Sequence, residues 1–247
     1  MVPTIGETLE VLLHPLRVPP LLDSPSLLDC LLISLFRVLA GFAVALATAI
    51  PAGLLIARTG WVHHLLSPLV ELARPISPVA WLPLAIILFA FDSLGTLLYG
   101  EESWRHTLLD QMQLAIIAII WWGAFFPILL NTIHGARQVR RLHIEVALVN
   151  GAGRLDLLRQ VVIPAALPAM LVGIRLGLGR AMMVIVAAEF FPGTRAGLGH
   201  LITTSHQEAE YQYAFASIIV IALLGLAFNH LLQLLERRVG GWQEKER

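Results

Sequence analysis

Long apolar runs constrain this chain more than any other feature of its sequence. A membrane core of about 30 Å requires about 20 apolar residues in a helix that rises about 1.5 Å per residue. Five runs approach or exceed that length, so the sequence predicts an all-α integral membrane protein with about five transmembrane helices. The runs are Val38–Ala57, Pro75–Phe91 with an upstream extension over Leu65–Ala73, Leu114–Ile133, Val161–Ala188 and Tyr213–Phe228, the last of which continues to Leu235.

Composition excludes a soluble domain. Hydrophobic residues make up 57% of the 247 residues and charged residues only 14%, whereas a soluble domain carries about 25% charged residues. The formal net charge is zero, so no basic excess points to nucleic acid. The single cysteine, Cys30, excludes an intrachain disulfide and any metal site built from several cysteines.

Positive charges predict the orientation of the chain. The loops after the first, third and fifth runs carry ten Lys or Arg residues, and the opposite loops carry three. Because positive loops stay in the cytoplasm, we expect the loop between the third and fourth runs and the C-terminus to be cytoplasmic. Residues 1–30 then form an external segment, with a short interfacial helix around Leu9–Leu13. A polar, acidic stretch at 92–111 is also expected outside, as a surface insertion or a contact for a solute-binding protein.

The cytoplasmic loop between the third and fourth runs has structure of its own. Leu142–Val149 predicts a short helix, and Asn150–Gly153 predicts a turn in which glycine adopts a positive φ. Leu155–Val162 predicts a second short helix with Asp156 near its N-terminus. Pro164 is expected to start the next span. This pattern is typical of a docking element, and a solvated linker remains the alternative.

The loop also resembles a known motif. Glu145-Val146-Ala147, followed by Gly151 and then Pro164, is similar to the EAA loop of permeases in binding-protein-dependent ABC importers, with Val146 in place of an alanine. Other blocks resemble the permeases for nitrate, sulfonates, taurine and bicarbonate. These blocks are Arg74–Ala85, Phe125–Thr132, Ala187–Glu189, Gly197–Gly199 and Leu235–Arg238.

The resemblance implies a MetI-like, type I ABC importer permease bundle over residues 31–235, with the EAA coupling loop at 136–164 and a cytoplasmic tail at 236–247. In such permeases the loop inserts into an ATP-binding subunit, a role that the resemblance assigns to Glu145, Ala147, Gly151 and Pro164. Family members usually carry one further N-terminal helix, so we expect this chain to begin after the position of that helix.

The resemblance also implies the assembly and the cargo. Two permease copies, as a homodimer in the lipid of a bacterial cytoplasmic (inner) membrane, would receive a small anion from an external solute-binding protein. ATP and Mg would bind on the partner ATP-binding subunit. We expect no cofactor, metal site, catalytic residue or nucleic-acid partner in this chain, because it lacks a phosphate-binding loop of the G-x-x-x-x-G-K-[ST] type, an HExxH motif and a nucleophile elbow.

Charged residues inside the spans are candidates for the pathway. Arg175 and Arg180 lie within the fourth run, and Glu189 ends it. An arginine at the centre of a span costs about 2.5 kcal/mol or more, so such residues line a pathway or form structural ion pairs. We expect Glu189 to pair with Arg180. Arg37, near the end of the first span, is expected to extend its guanidinium to the membrane surface.

Three other function classes remain open at this level. A secondary transporter or channel without an ATPase needs carboxylates inside the spans, and none lies near mid-depth. A membrane-embedded enzyme needs a cluster of His, Asp, Glu, Ser or Lys residues, which the sequence does not show. A non-transporting scaffold would not need the EAA spacing.

Overall fold

The structure is a computed structural model that describes residues 3–19, 24–89, 92–99, 110–190 and 194–240. Those residues are mainly helical, and they contain one isolated bridge, Ser93–Gln113, but no β-strand. The helices are α1 (Ile5–Leu13), α2 (Leu27–Arg58), α3 (Gly60–Ala73), α4 (Leu82–Phe89), α5 (Leu94–Tyr99), α6 (Leu114–Arg137), α7 (Arg141–Val149), α8 (Arg154–Leu157), α9 (Ile163–Glu189), α10 (Leu198–Gln207) and α11 (Tyr211–Gly240).

Four of the predicted spans are confirmed as continuous helices. Helix α2 has 32 residues and α6 has 24, and both exceed the length needed to cross a bilayer. The helix that includes α9 runs over 36 residues from Arg154 to Glu189, and the candidate span in α11, Tyr211–Glu236, has 26 residues. Prolines 51, 127 and 168 lie inside these helices without ending them.

The second predicted span differs from a single helix. It is divided into α3 and a second segment, formed by a 3₁₀ turn at Pro78–Trp81 followed by α4. Two prolines explain the break. Pro75 has no N–H with which to continue the helix beyond Arg74. Pro78 favours the extended backbone of Ser77 (φ −60°, ψ 131°) and occupies the first position of the new segment, where its missing N–H is not needed. The pair is either a broken span or a re-entrant loop, so the described residues contain four or five candidate membrane crossings.

The chain forms two compact units. Unit 1 comprises residues 1–43, 77–123 and 180–227, and unit 2 comprises residues 44–76, 124–179 and 228–247. Unit 1 has a buried cluster of Leu27, Cys30, Leu198, Leu201, Tyr213 and Ala216. Unit 2 has its own buried cluster of Leu54, Ala136, Leu157, Val162, Ala166 and Met170.

Small residues allow close helix packing within unit 2. Gly173 and Gly177 are four residues apart on α9 and face α6. A Cβ atom on Gly173 would lie 2.9 Å from the Pro127 carbonyl oxygen, and one on Gly177 would lie 3.1 Å from the Ala124 carbonyl oxygen. Such spacing of small residues lets two membrane helices approach at backbone distance.

Candidate functional site

Helix α7 ends in a turn that requires glycine. The Ala152 N–H donates to the Ala147 carbonyl over 3.0 Å, and the Gly151 N–H donates to the Leu148 carbonyl over 3.0 Å. These two bonds define a Schellman motif, in which the residue after the helix adopts a left-handed conformation. Gly151 has φ +82°, so the predicted helix, turn and positive φ are all confirmed.

The second short helix is continuous with the membrane span. The Gly153 N–H donates to the Asp156 carboxylate over 3.2 Å, which stabilises the start of α8 as predicted. The chain then passes through a π-helical turn at Leu158–Val162 directly into α9. The expectation that Pro164 starts the span is therefore wrong. Pro164 cannot donate to the Gln160 carbonyl, and the wider turn before it accommodates the proline ring without a break.

One face of α7 is anchored to unit 2. Ile144 and Ala147 are partly buried and pack against the cluster that contains Ala136, Leu157 and Val162. The small side chain of Ala147 fits against this cluster, so α7 is anchored to unit 2.

The other face of α7 is apolar and exposed. Leu142, Val146 and Val149 have 64%, 52% and 88% of their surface accessible, and Leu155 on α8 has 56%. Glu145 is exposed on the same short helix and has no ion pair among the described residues. Exposed apolar groups clustered outside the membrane spans and rimmed by charges mark a protein contact surface.

The three candidate pathway residues have three different environments. Arg175 donates to Glu236 of α11 over 2.9 Å in a partly exposed ion pair. Arg180 is exposed and makes no hydrogen bond or ion pair within the described part of the chain. Glu189 is buried and does not pair with Arg180. That predicted pair is wrong because nine residues turn a helix by about 900°, which places the two side chains on opposite faces.

Glu189 pairs with Arg37 instead, and this pair was missed. The Arg37 guanidinium donates from Nη1 to Glu189 Oε1 over 2.7 Å, and both side chains are fully buried. Arg37 therefore does not extend to the membrane surface. Its Nη1 and Nε also donate over 2.8 Å to the backbone carbonyls of Ala196 and Gln111. The signal for this pair was a cation, Arg37, within the apolar helix α2 and the only carboxylate of α9, Glu189.

Neighbouring groups complete the coordination of the Glu189 carboxylate. The Ser34 hydroxyl lies 2.8 Å from Oε1 and 2.9 Å from Oε2, and the Gly199 N–H donates to Oε2 over 2.9 Å. Ser34 Oγ in turn accepts from the Leu198 N–H over 2.9 Å. Within unit 1 this network joins α2, the end of α9, the start of α10 and the segment before α6. Its burial and the bonds to both carboxylate oxygens indicate a structural role, although Arg37 Nη2 has no hydrogen-bond partner among the described residues.

A family model described as "Binding-protein-dependent transport system inner membrane component" matches residues 49–241 of this chain. That range includes helix α7, the Gly151 turn, Arg175, Arg180 and Glu189.

Several curated proteins are similar over most of the chain. A putative ABC transporter permease of Methanocaldococcus jannaschii is 39% identical over 244 residues, which are 99% of this chain and 83% of that protein. The taurine transport system permease of Escherichia coli is 32% identical over 85% of this chain and 68% of that protein. The bicarbonate transport system permease of Synechococcus elongatus is 31% identical over 95% and 77% of the two chains.

A solved structure shares the fold. One chain of the MetNI methionine ABC transporter, from a study of its inward-facing conformations, matches with a TM-score of 0.62. The match covers 96% of this chain and 99% of that chain at 15% sequence identity. Similarity at this identity shows the fold alone, and it confirms the predicted all-α, MetI-like bundle.

Proposed function

The chain belongs to the family of binding-protein-dependent transport system inner membrane components, and on that premise we propose that ATP hydrolysis on a partner subunit drives its transport cycle. Membership makes the chain the permease subunit of an ABC importer. It is a multi-pass membrane protein whose role is transport. The partner, the mode of coupling and the solute are the proposal developed below.

The division of α7 into two faces is the observation that supports coupling. Ile144 and Ala147 hold the helix against unit 2, while Val146 and Val149 remain exposed. An apolar surface in the cytoplasm is unfavourable unless a partner covers it. We propose that the ATP-binding subunit covers this face and that Glu145 contributes a charge at the rim of the contact.

The continuity of α8 with α9 provides a route for movement. A partner that displaced the loop would also displace the helix from Arg154 to Glu189, because no break separates them. Interfaces between packed helices switch between discrete arrangements when a ligand or partner favours one of the two states. Closure of the ATP-binding subunits would thus change the pathway from inward-facing to outward-facing.

The proposed solute is a small anion, delivered by an external binding protein to a homodimer of this chain in the inner membrane. The taurine and bicarbonate permeases support this class, because both solutes carry an anionic group. The anion class is inferred from these two relatives. The external binding protein would select among the anions of that class.

Reconstitution tests the proposal. The full chain, the ATP-binding subunit and the solute-binding protein from its genomic neighbourhood are placed in proteoliposomes, and uptake of radiolabelled taurine, bicarbonate, ethanesulfonate and glucose is measured. We expect ATP-dependent uptake of at least one of the three anionic probes. Uptake that persists with a hydrolysis-deficient ATP-binding subunit contradicts coupling, and ATP-dependent uptake of glucose alone contradicts the anion class.

A further inference from the structure

An exposed face of α9 carries an arginine that makes no hydrogen bond or ion pair with the residues that the structure describes. Arg180 is exposed, and Met183, one turn further along, has 78% of its surface accessible. Ala187 and Phe190 continue the same face at helical spacing, with Phe190 47% exposed. This face of unit 1 borders lipid, a second protein or water.

Lipid is excluded by the position of the charge. Arg180 precedes the end of α9 at Glu189 by nine residues, which correspond to about 14 Å along the helix. A guanidinium at that depth is strongly unfavourable in hydrocarbon, and intramembrane arginines therefore face a protein interior or a water-filled space.

The spans that the structure describes offer no free counter-charge at this depth. Among the described spans, Glu189 is bonded to Arg37 and Glu236 is bonded to Arg175. Asp29 lies in the first turn of α2 and accepts from the Ser26 hydroxyl over 2.6 Å. A second copy of the chain brings the same set of acids, already engaged in the same way, apart from the exposed Glu71 of α3.

We infer that Arg180 faces the aqueous pathway and is the transient contact for the anionic group of the solute. The inference rests on the proposed importer function and adds to it the residue that favours anions. A guanidinium presents paired N–H donors that match two oxygens of a sulfonate or carboxylate. Each copy of the chain contributes one such cation, which attracts the anion without enclosing it and so suits a site that must release its solute.

Thiol labelling tests the inference without knowledge of the solute. In a Cys30→Ala background, Met183→Cys or Ala187→Cys places a thiol on this face. Membrane vesicles of both orientations that contain the assembled complex are treated with an anionic reagent, sulfonatoethyl methanethiosulfonate, and with a cationic one, trimethylammonioethyl methanethiosulfonate. The ratio of the two labelling rates reports the local electrostatic field, because a change in the reactivity of the thiol itself affects both rates equally and cancels.

Arg180→Gln should lower the anion-to-cation rate ratio by at least about threefold, the factor for unit charges roughly 6 Å apart in water. Arg175→Gln is the matched control, since it removes the same charge from the same helix but from a guanidinium already bonded to Glu236. It should leave the ratio within about twofold of the parent, because position 175 lies eight residues from Met183, about 12 Å along the helix, where salt screens most of the charge change.

Two results overturn the inference. If neither thiol reacts from either side of the membrane, the face is covered by lipid or protein. If the thiols react but Arg180→Gln leaves the ratio unchanged, Arg180 does not select anions. Neither result bears on whether uptake in the reconstituted system depends on ATP. Conversely, loss of that ATP dependence would contradict the proposed function and would leave the labelling rates unchanged.

Discussion

Arg37 and Glu189 form a fully buried ion pair, with Nη1 2.7 Å from Oε1, although 152 positions separate them in the sequence. The pair connects α2 to the end of α9 inside unit 1. Removing one member of such a pair leaves an uncompensated charge in a poorly solvated site, while removing both does not. This asymmetry makes unit 1 sensitive to single substitutions at either member of the pair.

Glu189→Gln should destabilise the purified protein by about 3–5 kcal/mol. The double variant Arg37→Met/Glu189→Met should recover part of that loss, because it leaves no buried charge. Glu236→Gln is the matched control. Its pair with Arg175 is partly exposed, so its loss should cost at most about 1 kcal/mol. Denaturant unfolding in detergent measures all three, and equal costs for Glu189→Gln and Glu236→Gln would contradict the structural role.

Gly197→Ala should damage the same network through the backbone. Gly197 has φ +129°, which side-chain-bearing residues rarely adopt, and an added Cβ would meet the Glu189 carboxylate. We expect reduced accumulation in the membrane and lower thermal stability. Gly225→Ala on α11 is the control, because no atom lies within 4 Å of its added Cβ. It should be neutral or stabilising by up to about 1 kcal/mol, and a similar loss in both variants would refute the explanation.

Two helix ends have the same backbone geometry but different residues, so substitutions at them should have opposite effects on stability. Gly151 ends α7 with φ +82°, and Ala209 follows α10 with φ +60°. At the second end, the Glu210 N–H donates to the Ser205 carbonyl over 2.9 Å, as in the Gly151 turn. Gly151→Ala should cost about 1 kcal/mol and Ala209→Gly should gain a similar amount. Thermal unfolding checks the signs, and a stabilising Gly151→Ala would show that the turn differs from the one described.

Local patterns predicted those parts of the fold that depend on neighbouring residues. The apolar runs predicted four continuous spans, and Asn150–Gly153 predicted the turn, because each signal lies within a few residues. The break between α3 and α4 could be inferred from Pro75 and Pro78 only after their combined effect was considered. The nine-residue spacing of Arg180 and Glu189 places them on opposite faces of a helix, so the sequence alone could have excluded that pair.

Local sequence patterns could not predict which residues pair with each other across the tertiary structure. The choice of Arg37 for Glu189, and of Glu236 for Arg175, depends on how α2, α9 and α11 pack, which no local spacing encodes. Local spacing also could not show that Ala147 faces the chain's own core, since a small residue suits contact either with a partner protein or with that core. The assignment of Glu145, Ala147, Gly151 and Pro164 to coupling therefore stays a prediction that requires the assembled complex.

Site-specific photocrosslinking tests the central claim, that the exposed face of α7 contacts the ATP-binding subunit. A benzophenone amino acid replaces Val149 in the full chain, co-expressed with that subunit, and membranes are irradiated. Ile5 on α1 is the matched control, because Ile5 and Val149 are both 88% exposed. We predict a covalent product with the ATP-binding subunit from position 149 and none from position 5. A complex that co-purifies intact but gives no such product from position 149 or from Leu142 would contradict the account.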